Sequence, residues 1–65
     1  MKFDFEVIVG NIGSVYLGNS EKRANETFNE YRDQSIGNYG RAAGEEVTLF
    51  EKGEVTRSFT PVAVS

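Results

Sequence analysis

The sequence predicts an α+β protein of order ββαββ, with an antiparallel four-stranded sheet and one helix packed on one face. Three observations predict it. Residues 3–9 alternate apolar and other side chains, residues 21–35 hold no Gly or Pro and are amphipathic, and residues 47–60 alternate on either side of Lys52-Gly53. The whole fits one domain of 65 residues, divided as hairpin 3–17, helix 20–36, Gly-rich loop 37–44, hairpin 46–60 and tail 61–65.

In the first hairpin Phe3, Phe5, Val7 and Val9 share one face, and Asp4, Glu6 and Ile8 the other. Gly10-Asn11 offers the positive-φ positions of a tight reversal. Strand 14–17 returns with Val15 and Leu17 expected toward the core and Tyr16 opposite. Gly18-Asn19-Ser20 then breaks the strand, and Asn19 or Ser20 is suited to cap a helix by accepting from an early N–H. Glu21 lies in the first turn, where the helix dipole favours an anion. Ala24, Phe28 and Tyr31 recur at helical spacing with Thr27 beside them, while Lys22, Arg23, Glu26, Glu30, Arg32 and Asp33 cover the solvent side. Gly37 is the expected residue just past the helix end. In the second hairpin Val47 and Leu49 alternate with Thr48 and Phe50. Val55, Arg57 and Phe59 alternate with Thr56, Ser58 and Thr60, and Pro61 ends the strand.

Composition bounds the function. Seven Lys and Arg against ten Asp and Glu give a net charge of −3 and a pI near 4.8. The seven cations are scattered among acids, so a long nucleic acid is a poor partner, whereas a small anion needs only one or two Arg and some backbone N–H groups. The longest apolar run is a few residues, which argues against a membrane segment. With no His and no Cys the usual acid–base switch and thiol nucleophile are missing. Glu45 and Glu46 are adjacent and so point to opposite faces of a strand, and no metal-loop pattern occurs. A non-enzymatic protein without cofactor or metal is the expectation.

Two surfaces are candidates for binding. The alternation places Ile8, Tyr16 and Phe50 on the sheet face away from the helix, a contact surface for a partner or for self-association. A thin core and unpaired edge strands add to the case for a homo-oligomer. The second candidate is Gly37-Asn38-Tyr39-Gly40-Arg41-Ala42-Ala43-Gly44-Glu45. Gly40 and Gly44 let the backbone approach a ligand, Arg41 suits a bidentate phosphate pair, Tyr39 a stacked base, and Asn38 a polar edge. A helix cap followed by connecting chain accounts for the same residues.

Val9-Gly10-Asn11-Ile12-Gly13, the Asn/Ser-capped helix with Phe28 and Tyr31, and Gly40-Arg41-Ala42-Ala43-Gly44-Glu45 ahead of a Gly-turn hairpin resemble small proteins encoded in bacteriophage and prophage genomes. The resemblance runs over residues 3–59 and carries over no binding residue. It implies a counter-defence factor working in the host bacterial cytoplasm. One expectation is an oligomer that sequesters a small anionic nucleotide, an immune signal. The other is an inhibitor of the anti-CRISPR type that binds a host defence protein. A small structural adaptor without a ligand is the third.

Overall fold

The computed structural model describes residues 3–10, 12–37, 40 and 44–61. Strands β1 (Phe5–Val9) and β2 (Gly13–Gly18) precede helix α1 (Glu21–Gly37), and β3 (Val47–Glu51) and β4 (Glu54–Phe59) follow it. All strand pairs are antiparallel and the sheet order is β2-β1-β3-β4. The ββαββ sheet with one covering helix is the architecture expected from the sequence. No helix among the described residues is long and apolar enough to cross a membrane.

The core is the layer between α1 and the sheet. Phe5, Val7, Val9, Val47 and Leu49 from the two inner strands pack against Ala24 and Phe28. Complete burial of one such aliphatic side chain stabilises by roughly 1.5–3 kcal/mol, so this small set carries much of the fold. Arg57 on β4 supplements it. Its guanidinium lies 4.3 Å from the centroid of the Phe28 ring, and its two terminal nitrogens donate to Asn25 Oδ1 at 2.8 Å and Asn29 Oδ1 at 3.1 Å.

Several local features set the connections. The first turn closes when Ile12 N–H donates to Val9 O at 3.0 Å, and the positive φ falls on Gly13, at 95°, instead of Gly10. Ser20 is the helix cap, its Oγ accepting from Arg23 N–H at 3.2 Å. Asn19 has another task, its Oδ1 accepting from Asp4 N–H at 2.9 Å. The helix extends through Gly37, one residue beyond the expected end. Lys52 and Gly53 form the second hairpin turn with φ of 52° and 86°, as a two-residue reversal with both centres left-handed requires. The expected tail is described only at Pro61; residues 62–65 lie outside the described residues.

Two β-bulges overturn part of the expected facing. Val7 pairs with Tyr16 but Ile8 with Ser14, leaving Val15 as an extra residue. Leu49 pairs with Arg57 but Phe50 with Val55, leaving Thr56 extra. Directly opposed residues share a face, and one inserted residue reverses the parity beyond it. Tyr16 therefore stands on the helix face with Val7, against the expectation that it joins Ile8 and Phe50. Leu17 and Val55, expected inward, face away from the helix at 48% and 57% exposure. Thr56 Oγ1 donates to Leu49 O at 3.3 Å, a side-chain bond beside the interrupted ladder.

Candidate functional site: the helix-free sheet face

On the side away from α1, one cross-strand row runs Leu17, Glu6, Phe50, Val55 over β2, β1, β3 and β4. The next row runs Ser14, Ile8, Thr48, Ser58. Ile8 is diagonal to Leu17 and Phe50, so four apolar side chains cluster on a face that no element of the described chain covers. Ile8 and Phe50 are half-buried by their neighbours, whereas Leu17 and Val55 stand out. In these two rows the only charged side chain is Glu6. Among the described residues no hydrogen-bond or ion-pair partner faces it. Glu46, just before β3, accepts from Thr60 Oγ1 at 3.1 Å.

The edges of this sheet are less open than its face. Gly10 N–H donates to Glu46 O at 2.9 Å and Lys52 N–H to Asp4 O at 2.6 Å. Antiparallel ladders alternate, so even-numbered residues of β1 address β3 and odd-numbered ones address β2. By the same count Leu17 on β2 and Ser58 on β4 turn their main-chain groups outward. Each edge strand is short and carries a bulge, two devices that discourage a further strand from pairing.

Tyr16 has a structural role. Its hydroxyl accepts from Ser20 N–H at 3.2 Å and donates to Ser20 O at 3.4 Å, which joins the end of β2 to the start of α1. The ring also forms one wall of an open groove of about 400 Å³ between β2 and α1, with Arg23, Glu26, Thr27 and Glu30.

The glycine-rich segment is described at its ends. Gly40 and Gly44 both have φ of 71°, the left-handed backbone that their residue type allows. Buried Ser35 donates its hydroxyl to Glu45 O at 2.7 Å, and the Glu45 carboxylate lies where a Cβ on Gly10 would come within 2.7 Å of Oε1. The chain leaving the helix and the chain entering β3 are thus tied together. Asn38, Tyr39 and Arg41, the side chains expected to hold a ligand, lie outside the described residues, as do Asn11, Ala42 and Ala43. Among the described residues no group of three acidic, His or Cys side chains is placed to hold a metal ion.

Sequence reasoning therefore found Ile8 and Phe50 on the exposed face, misplaced Tyr16, and missed Leu17 and Val55. A signal existed for Leu17. Val15-Tyr16-Leu17 is an unbroken apolar run, so either facing of the strand turns an apolar side chain outward. No family model matches this chain, and no curated protein or solved structure is significantly similar to it.

Proposed function

We propose that this chain is a non-enzymatic binding protein that docks on another protein through the helix-free face of its sheet. One observation carries the reading. Leu17, Phe50 and Val55 form an apolar row across the sheet, with Ile8 beside it, and two of the four are about half exposed or more. Contiguous apolar surface of this kind on a small protein marks an interaction site. A chain without His or Cys has little else to offer chemically. Taken with the phage and prophage resemblance, the reading becomes an inhibitor of a host defence protein, active in the bacterial cytoplasm.

Site-specific photocrosslinking in host cells tests it. A photoreactive residue at Val55 is expected to capture a heterologous protein, while one at Glu26 on the opposite side of the molecule captures none. Crosslinks at neither position, only at Glu26, or only to a second copy overturn the reading.

Sequestration of a small nucleotide by an oligomer is the second reading. It is favoured by the left-handed φ of Gly40 and Gly44, which bracket Arg41, and by the Ser35 to Glu45 bond that holds the segment's ends together. Calorimetry against linear and cyclic nucleotides tests it. Binding heat that disappears in Arg41→Ala supports it, and absence of heat in the parent protein rejects it.

A further inference from the structure

We infer that the occupant of the helix-free face is a basic amphipathic helix of another protein, an inference that rests on the protein-docking reading above. The argument begins with Glu6. It stands between Leu17 and Phe50 in one cross-strand row, so any occupant covering those two apolar side chains also covers the carboxylate. Glu6 is half-buried and has no partner among the described residues. Removing an unpaired carboxylate from water costs several kcal/mol, and only a cation or strong donors brought by the occupant offset that cost. The occupant must therefore supply both apolar anchors and positive charge at one place.

A second copy of this chain brings the same apolar side chains but no cation from these rows. A two-fold contact centred on the row sets Glu6 against Glu6, and no strand residue of the two exposed rows is basic. An added β-strand is disfavoured by the bulge on each edge.

A helix fits the remaining requirements. The sheet already accepts one on its other side, through Ala24 and Phe28. Leu17 and Val55 are three strand spacings apart, about 14 Å. At about 1.5 Å rise per residue, helix positions i, i+4 and i+8 reach over ~12 Å along the axis, enough for three aliphatic anchors along the row. An Arg between two anchors presents a planar fork to the Glu6 carboxylate, which makes Arg the better cation than Lys.

Two synthetic peptides of about 14 residues test this, a length at which a helical peptide is marginal alone and forms on binding. Both carry Leu at i, i+4 and i+8, one with Arg between and beside the anchors, the other with Glu. Amide shift mapping and fluorescence anisotropy on the full chain supply the readouts. The Arg peptide is expected to move the amide signals of Ile8, Leu17, Phe50 and Val55. It should bind at least about tenfold more tightly than the Glu peptide, a difference of ~1.4 kcal/mol. Glu6→Gln should erase that preference, and Val55→Asp should abolish binding while the melting temperature is kept. Equal binding of the two peptides, or a preference that survives Glu6→Gln, overturns the inference and leaves protein docking on this face standing. Shifts confined to the helix side, or none with either peptide, also overturn it. The crosslinking result at Val55 judges the broader reading separately.

Discussion

Replacing Arg57 by Ala should destabilise the fold by about 2–3 kcal/mol, although Arg57 lies on an edge strand. Its two hydrogen bonds, at 2.8 and 3.1 Å, go to the side-chain amides of Asn25 and Asn29, and its guanidinium lies over Phe28 at 4.3 Å. Each hydrogen bond from a partly exposed charged donor is worth ~0.5–1 kcal/mol here, below the buried-site range because water competes for the same groups. The cation–π contact adds ~0.5 kcal/mol, and loss of the stem that shields Phe28 adds a similar amount. For a domain of this size the sum lowers the melting midpoint by roughly 8–24 °C. Urea denaturation followed by circular dichroism measures it directly. Arg57→Lys should recover about half of the loss, because an ammonium keeps the charge and forfeits the two-pronged geometry. Both acceptors are neutral amides, so high salt should leave the difference between parent and variant nearly unchanged, unlike the screening expected of a salt bridge. A loss below about 0.5 kcal/mol, or an Arg57→Met variant as stable as the parent, would refute the reasoning. So would a salt dependence large enough to remove the effect.

Three further substitutions probe the connections. A Cβ on Gly18 would lie 2.6 Å from the Tyr16 hydroxyl and 3.0 Å from its ring carbon, and that hydroxyl is bonded to Ser20. Gly18→Ala should therefore cost about 1–3 kcal/mol in a thermal or urea melt, and less in a Tyr16→Phe background, where the ring is free to shift. Lys52 adopts φ of 52° in the hairpin turn, so Lys52→Asn should raise stability by about 0.5–1 kcal/mol; a loss would show that the lysine side chain is needed. Ser35→Ala removes the buried donor to Glu45 O at 2.7 Å and should cost about 1–2 kcal/mol, with amide exchange rising first around Glu45 and Glu46 if the bond anchors the chain there.

The inner strands were legible because they obey one period throughout. Phe5, Val7 and Val9, and Val47 and Leu49, alternate without interruption and are all buried. The helix was legible for the same reason, since Ala24 and Phe28 keep a four-residue spacing and Ser20 supplies the cap. The edge strands were not. In β2 the inserted Val15 reverses the facing of Tyr16 and Leu17, and in β4 the inserted Thr56 reverses that of Val55. The run Val15-Tyr16-Leu17 is apolar in either facing, so it leaves the parity of β2 open. Residues Val55 to Phe59 carry no local sign of a bulge, since they alternate regularly. Their bulge shows only in the pairing with β3. Of the candidate site, Ile8 and Phe50 followed from alternation, and Leu17 and Val55 required the register.

The two bulges also explain why the exposed face is apolar. Val7 and Leu49 oppose each other in the sheet, and the bulges interrupt the outer ladders next to these two residues, one on each edge. Counting from Gly13 without the insertion, β2 would show Tyr16 outward and keep Leu17 in. Counting back from Phe59, β4 would show Thr56 outward and keep Val55 in. Each bulge thus exchanges a polar-tipped or polar residue on the open face for an aliphatic one, and both new residues fall in the row of Glu6 and Phe50. Burial alone does not favour that outcome, because turning two aliphatic side chains to water forfeits roughly 1 kcal/mol or more apiece at their exposures. Part of the loss is offset inside, where Tyr16 bonds Ser20. What is left is an aliphatic side chain at each end of the row of Glu6 and Phe50, placed there by two separate insertions, on a face whose edges those insertions guard against pairing with another strand. That combination restricts the approach of a partner to the flat of the sheet.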